Sequence, residues 1–212
     1  MLSISNIIKN VHGRYDGDLI HYYRLVMNAP NMYAPYHNVR HMLHVLWESY
    51  EGGLYMGLDK EQMRELLIAA LMHDYNHLGR KASDDENISR AIQGLNDNVL
   101  KEDLRILEFI HDAIKATQFP YVIDSDRCTI VQKILRDADQ AQTFSNVWIQ
   151  SIRYDLSKEL EITPKKMLEF QIPYLKGLKF HTVWGETKFG PMIPVRIKEI
   201  EEMLELEKEI EN

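Results

Sequence analysis

The sequence has very few of the features that mark secreted or membrane proteins. Of its 212 residues only Cys128 is a cysteine, so no disulfide can form within the chain. A lone thiol is typical of a reducing compartment. No run of roughly 18 apolar residues occurs, so no membrane-spanning helix is predicted. The first residues lack a cationic start followed by a long apolar run, and we expect no signal peptide. The sequence therefore predicts a cytoplasmic protein.

Positive charge is also scarce. Lys and Arg number 25 against 32 Asp and Glu, which gives a formal net charge of −7. A nucleic-acid polymer normally requires a basic surface, so this balance argues against such a polymer as the main partner. A local basic pocket for a small phosphate ester is compatible with the same composition.

Linkers, repeats and strand patterns are lacking as well. No Ser/Pro-rich or low-complexity stretch occurs, so residues 1–212 are predicted to form one domain. No segment alternates apolar and polar residues for long enough to predict a strand. Apolar residues recur instead at helical spacing, which predicts an all-α fold. The predicted helices cover about 18–27, 38–55, 59–73, 85–96, 101–116, 127–140, 144–156 and 163–180, with 155–162 as a short connection and a charged helix after Pro194.

Histidine is the residue that this sequence concentrates. Five of its nine histidines fall in two short groups. His37, His41 and His44 follow one another at spacings of four and three, so a helix places them on one face. In the second group, His73 and His77 are again four apart, and an aspartate, Asp74, follows His73.

Such groups are typical of a divalent metal site. A cation needs imidazole and carboxylate donors that converge from several elements, and mixed His/Asp ligation leaves positions open for water and a phosphate oxygen. The apolar run 66–72 would bury the second group, where a bound metal removes the cost of an uncompensated His-Asp pair. Asp137 and Asp139 follow another apolar run and compete for a further ligand position.

The order of these groups resembles the HD superfamily of metal-dependent phosphohydrolases. Tyr36-His37-Asn38 with His41, followed by His73-Asp74 with His77, is similar to the signature of the class I cyclic-nucleotide phosphodiesterases. Ile114 to Thr117 and Ala138-Asp139 resemble two further motifs of that family. The resemblance runs in order over 36–139, about half the chain, and it implies a single-domain HD-type helical bundle with the metal site between central helices.

The resemblance also implies a role for each matching residue. His41, His73, Asp74 and Asp139 would hold the first of two divalent metals (Mn, Mg, Zn, Co or Fe), and Asp74 would also reach the second metal through a bridging hydroxide. His37 would donate a proton to the leaving oxygen, and His77 would lie beside the second metal and the phosphate. The register after Ala138 favours Asp139 as the ligand and Asp137 as a surface or supporting carboxylate.

Substrate contacts are predicted less directly. Tyr36 and Asn38 belong to the first motif and are expected near the substrate. The family holds a base with a glutamine and an aromatic residue three positions later. Gln171 and Tyr174 have this spacing but not the family's surrounding residues, and the alternative is a core-facing tyrosine with an incidental glutamine. His44 is expected either to orient His41 or a metal-bound water, or simply to pack. Asp84, Asp85 and Glu86 are either aids to the second metal or favourable charges at a helix start.

The function that follows is hydrolysis of a nucleotide phosphodiester, cyclic or oligomeric. An HD-type nucleotidase or nucleoside-triphosphate hydrolase is the nearest alternative, although a leaving alkoxide has more need of an acid such as His37. A di-iron oxygenase would require two further histidines after Asp74, and only His111 is available. A non-catalytic nucleotide-binding module is the third alternative. The last helix has an apolar stripe that either packs on its own domain or pairs two subunits.

Overall fold

Helices account for all the regular structure in the computed structural model, which describes residues 2–211. No strand occurs in that part of the chain, so the predicted all-α fold is confirmed. The α-helices are α1 Ile4–Ile8, α2 Ile20–Met27, α3 Val39–Met56, α4 Lys60–Met72, α5 Asp84–Asn96, α6 Leu107–Ala116, α7 Ile130–Gln140, α8 Ser157–Glu159, α9 Pro164–Gly177, α10 Val183–Phe189 and α11 Met192–Glu211.

Helices α3, α4 and α7 pack against one another at the centre of the fold. Gly57 ends α3 in the left-handed conformation at φ 72°, which a glycine adopts without steric cost. Asp59 then starts α4 with a capping box that it shares with Gln62, so the two long helices form a hairpin. The hairpin brings the start of α3 and the end of α4 to the same end of the bundle.

The hydrophobic core is anchored by the apolar run in α4. Every residue from Leu66 to Met72 has 0% of its surface exposed. Burial of a Leu, Ile or Met side chain contributes about 1.5–3 kcal/mol. The core continues through α3, α6 and α7 to Ile200 in α11. The burial that the sequence predicts for this run is therefore present, and it fixes the position of the His-Asp pair that follows it.

Several predicted helix boundaries shift in the structure. Short 3-10 helices occupy Lys101–Ile106 before α6 and Ala141–Phe144 after α7. Helix α7 begins only at Ile130, because Thr129 caps it through a box with Gln132. Helix α9 ends at Gly177, and Val183–Phe189 form a separate helix, α10. Helix α11 begins before Pro194, which the first turn of a helix tolerates.

The predicted connection over 155–162 is wrong for most of its length. A π-helix spans Ile149–Leu156 and runs directly into α8. A π-helix has i→i+5 hydrogen bonds and a wider turn than an α-helix, and its apolar residues therefore miss the 3.6-residue period. Only residues 160–163 connect α8 to α9.

The C-terminal helix α11 packs on α9 and α10, so the first of the two predicted placements is present. Ile200 is buried there, whereas Leu206 and Ile210 near the end are exposed. Pairing of two subunits through this helix stays a prediction. None of the helices in 2–211 combines the length and apolar composition that a membrane crossing requires.

Candidate metal centre and adjoining cavities

Four predicted metal ligands meet at one point where the central helices converge. His41 lies in the first turn of α3, His73 caps the end of α4, Asp74 follows it, and Asp139 lies in the last turn of α7. His41 Nε2 lies 3.0 Å from Asp139 Oδ1 and 3.2 Å from Asp74 Oδ2. His73 Nε2 lies 3.1 Å from Asp74 Oδ2 and 3.4 Å from Asp139 Oδ1. The two Nε2 atoms are 3.3 Å apart.

The opposite ring nitrogens of both histidines are hydrogen bonded to the protein. His41 Nδ1 pairs with Gln142 Oε1 at 2.8 Å, and His73 Nδ1 pairs with the carbonyl oxygen of Ala70 at 2.9 Å. Both partners accept, so both Nδ1 atoms donate, and the two Nε2 atoms face each other and the carboxylates. A carboxylate oxygen of this cluster, Asp74 Oδ2, is buried without a hydrogen-bond partner.

The electrostatics of the cluster show the same need for positive charge. Burial by itself lowers the pKa of His41, but the carboxylates of Asp139 and Asp74 outweigh it and raise the pKa to about 9. The pKa of His73 is raised well above its usual value by the same two carboxylates despite burial. Burial would raise the pKa of Asp74, yet the neighbouring His73 and His37 hold it well below its ordinary range. A divalent cation supplies this charge directly, so these residues fit a metal.

A second group of potential ligands shares Asp74 with the first. His37, Asp74 and His77 bring one ligand atom each within 4.8 Å of one another, as do His41, His73 and Asp74. The rings of His37 and His77 are stacked, with centroids 3.9 Å apart. The buried groups could therefore hold metal ions, with Asp74 placed to contact both sites.

His37 and His77 differ in the hydrogen bonds made by Nδ1. His77 Nδ1 accepts a hydrogen bond from the backbone N–H of Gly79 at 2.9 Å, so neutral His77 carries its proton on Nε2. Burial, followed by the nearby His37, lowers the pKa of His77 to about 4. His37 Nδ1 instead contacts the carboxylate of Glu159 and donates to it. His77 is thus held neutral with Nδ1 as an acceptor, whereas His37 uses Nδ1 as a donor to a carboxylate.

Glu159 is a site residue that sequence reasoning missed. Its Oε2 accepts from the backbone N–H groups of Tyr36 and His37 at 2.8 and 3.1 Å, while Oε1 contacts the His37 ring. Burial would raise its pKa, but His37 and the backbone donors hold it at about 2. Glu159 lies at the end of α8, 122 positions after His37. The segment was predicted to be a connection, and no spacing pattern links it to the histidine motifs.

Asn31 joins the two histidine groups through the backbone. Its side-chain amide donates to the carbonyl oxygens of His37 at 2.7 Å and Asp74 at 2.8 Å, and its oxygen accepts from the N–H of Asn76 at 2.9 Å. Asn76 adopts φ 64°, a left-handed conformation that asparagine tolerates better than most residues. This turn ends α4 and directs the chain to His77.

An aromatic cavity of about 450 Å³ opens beside Asp139 and His37. Both predicted base-binding residues line it. Gln171 is buried, its Oε1 has no hydrogen-bond partner, and Tyr174 donates to Gln140 Oε1 at 3.3 Å. The aromatic cavity is lined by Tyr36, His37, Asp84, Thr117, Phe119, Tyr121, Asp139, Gln140, Thr143, Ile152, Leu156, Leu160, Met167, Phe170, Gln171 and Tyr174.

Two residues considered for the site belong to neither ligand group and do not line the aromatic cavity. Asn38 caps α3, accepting from the N–H of Arg40 at 2.8 Å and donating to the carbonyls of Ala34 and Pro35 at 2.7 and 3.0 Å. These bonds occupy its amide, so Asn38 positions the start of α3 rather than offering a free polar group. His44 lines a different cavity with Trp47, and its buried Nε2 has no partner. Of the three alternatives considered for His44, orientation of His41 is wrong, because Gln142 does this.

The predicted surface position of Asp137 is also wrong. Asp137 has 0% of its surface exposed. It accepts hydrogen bonds from the N–H groups of His181 and Thr182 at 2.7 and 2.9 Å and from Thr182 Oγ1 at 2.7 Å. Thr182 caps α10, so Asp137 fixes the start of that helix. Helical geometry turns Asp139, two residues on, toward the histidines instead.

The acidic residues at the start of α5 separate into different environments. Asp84 lines the aromatic cavity and accepts from the N–H of Phe119 at 2.6 Å, whereas Asp85 and Glu86 are exposed. Burial raises the pKa of Asp84. Asp85 and Glu86 therefore have the surroundings expected of charges at a helix start.

The chain matches no protein-family model, and no curated protein matches it. The residues and their geometry alone therefore carry the functional inference that follows.

Proposed function

We propose that this protein is a metal-dependent phosphohydrolase that cleaves a nucleotide phosphodiester. The observation that carries the proposal is the pair of ligand groups that share Asp74, with an aromatic cavity beside them. His41, His73, Asp74 and Asp139 would hold one divalent metal, and Asp74 and His77 would lie beside a second. When bound, such ions polarise a phosphoryl group and lower the pKa of water.

His37 is the proposed general acid. Its Nδ1 is bonded to Glu159, which leaves Nε2 to carry the proton that the reaction transfers. In the balanced reaction, a water oxygen bonds to phosphorus, the phosphorus–oxygen ester bond breaks, and the proton passes from His37 Nε2 to the leaving alkoxide. The attacking water releases a proton to solvent, and His37 Nε2 takes up a proton from solvent before the next turnover.

His77 is proposed to orient the phosphate as a neutral donor. Its Nδ1 accepts from Gly79, so Nε2–H points a hydrogen-bond donor away from that backbone contact. The neutral ring cannot compete with His37 as a proton source at neutral pH, since its pKa is lowered to about 4. The two stacked histidines are therefore proposed to have different roles, because their Nδ1 atoms have different hydrogen-bond partners.

The aromatic cavity is proposed to hold one nucleoside. Tyr121 and Tyr174 contribute aromatic rings to the lining, and the amide of Gln171 has both a donor and an acceptor for a base edge. None of the residues that line it is Lys or Arg, and Asp84 adds negative charge. An uncharged nucleoside suits this cavity better than a polyphosphate tail does.

A di-iron oxygenase receives less support from the described residues. His111 belongs to neither ligand group, and its Nε2 is bonded to Asn96 Oδ1 at 2.7 Å. A nucleoside-triphosphate hydrolase could use the same ligands, but its pyrophosphate leaving group has little need for the His37–Glu159 pair. A binding module would not need that pair either.

The test is hydrolysis of two diesters by the metal-loaded protein with Mn, Mg, Zn or Co. His37→Gln should lower kcat on a nucleotide diester by roughly 10²–10⁴ and affect bis(p-nitrophenyl) phosphate far less, since nitrophenolate leaves without an acid. Glu159→Gln should follow the same pattern, and Glu169→Gln on the exposed side of α9 should match the parent protein. Equal losses on both diesters would refute the acid role, and absence of hydrolysis with every metal would refute the proposal.

A further inference from the structure

A third cavity, of about 370 Å³, has the opposite chemical character from the aromatic cavity. We call it the basic groove, because Arg80, Lys81 and Lys158 line it. Tyr33, at its edge, has 88% of its surface exposed. The basic groove is lined by Pro30, Asn31, Tyr33, Ala34, Pro35, His77, Leu78, Gly79, Arg80, Lys81, Lys158, Glu159 and Glu161.

Neighbouring residues of the candidate metal centre line the basic groove and the aromatic cavity. His77 lines the groove, His37 lines the aromatic cavity, and their stacked rings are 3.9 Å apart. Both residues belong to the ligand group that contains Asp74. The chain segments 78–84 and 158–160 contribute residues to both cavities, so the two openings are neighbours. A ligand held at the metal centre can therefore extend into both.

Positive charge in the basic groove is only partly neutralised by the protein. Arg80 pairs with Glu161 at 3.3 Å, and Glu159 is engaged by His37 and Tyr36. The ammonium groups of Lys81 and Lys158 have no hydrogen-bond or ion-pair partner in the described part of the chain. The lining of the groove therefore combines these two cations with His77, which favours an anion there although the chain has a net charge of −7.

We propose that the basic groove binds a second phosphate group of the substrate, on the side of the scissile phosphate opposite the aromatic cavity. This inference rests on the proposed function. It assigns the substrate to nucleotide phosphodiesters that contain at least two phosphates, on the scale of a dinucleotide, because a cyclic mononucleotide would leave the groove empty. The exposed ring of Tyr33 would then stack on the second base.

The matched probes are the dinucleotide ApA and its forms with one added terminal phosphate, pApA and ApAp. Equilibrium binding is measured on the Mn-loaded full chain carrying His37→Gln, which slows turnover. At least one phosphorylated form should bind about tenfold more tightly than ApA, as expected for charge-assisted contacts to a phosphate. Adding Lys81→Gln and Lys158→Gln should abolish that difference. Lys60→Gln with Lys101→Gln, which removes two cations outside the cavities, should preserve it.

Two results would overturn the inference. One is equal binding of ApA, pApA and ApAp. The other is tighter binding of a phosphorylated form that survives loss of Lys81 and Lys158, since the phosphate would then lie elsewhere. Hydrolysis of the same probes by the unsubstituted protein is measured in parallel. If no hydrolysis occurs with any metal, the proposed function is refuted. The comparison of the three binding affinities would still test whether the groove binds a phosphate.

Discussion

Gln142 fixes which nitrogen of His41 carries the proton. Ser151 Oγ donates to the carbonyl of Val147 at 3.0 Å, so it accepts from Gln142 Nε2, also at 3.0 Å. The amide oxygen of Gln142 must then face His41 Nδ1, at 2.8 Å, and accept its proton. Because of this chain of bonds, the Nε2 lone pair of His41 points at Asp74 and Asp139.

Gln142→Met should weaken metal binding. The substitution keeps the volume but removes the acceptor, so His41 loses both its orientation and its fixed tautomer. Loss of such a supporting partner typically costs 10–100-fold in metal affinity. The measurement is a titration with Mn or Zn. Gln150→Met, on an exposed amide nearby, is the control, and an unchanged dissociation constant in Gln142→Met would contradict this role.

Asp139→Asn and Asp137→Asn should separate metal binding from stability. Asp139→Asn should lose metal and activity while the helical fold survives, because its carboxylate faces His41 and His73. Asp137→Asn should retain metal but lower the free energy of unfolding by about 1.5–3 kcal/mol, since its amide cannot accept all the hydrogen bonds made at the start of α10. Metal content and urea unfolding are measured on both, and the reverse pattern would exchange their roles.

Tyr174→Ala should weaken nucleotide binding specifically. Loss of a stacking ring costs about 1–3 kcal/mol per base, so KM for a nucleotide diester should rise roughly tenfold or more. Bis(p-nitrophenyl) phosphate has no base and should be affected less. Tyr174→Phe keeps the ring and should remain near the parent value, and Tyr55→Ala is the exposed control. Equal effects on both diesters, or unfolding of the variant, would make Tyr174 a core residue.

Glu65→Gln should stabilise the protein at neutral and alkaline pH but not near pH 4. Burial, with Asp59 and Asp112 nearby, raises the pKa of Glu65 from 4.5 to about 7. A raised carboxyl pKa means that the folded state resists ionisation, so stability falls as pH rises between these two values and the penalty is complete above pH 7. Glu65→Gln removes the penalty. Its unfolding midpoint should exceed that of the parent by a few degrees at pH 8 and converge with it near pH 4. Glu201→Gln is the exposed control.

The sequence predicts the parts of the fold that depend on local pattern. The run Leu66–Met72 reads as a buried helix because every residue is apolar, and capping residues such as Asp59 mark where helices start. The helix ends around 101–116 and 141–156 were less predictable. Helices are predicted from a 3.6-residue period of apolar residues, and 3-10 and π helices have a different period.

In the candidate site, too, local sequence pattern identifies some residues, and only tertiary packing brings in the others. His41, His73, Asp74 and Asp139 could be selected from the sequence because they fall in short groups or at a helix end. Gln142 and Glu159 could not, since their partners lie 101 and 122 positions away and only tertiary packing joins them. Lys81 and Lys158 form the basic groove for the same reason. A scarcity of cations overall gave no indication that a few would gather beside His77.

The π-helix of Ile149–Leu156 holds one residue more than an α-helix of the same span would hold. If the same eight residues paired as an ordinary α-helix, the extra residue would be pushed past the end of the segment. Everything after the segment would then rotate by roughly 100° about the helix axis, and Glu159 would turn away from His37. The turn type of one segment, which contains none of the metal-ligand candidates, therefore decides whether the His37–Glu159 contact forms.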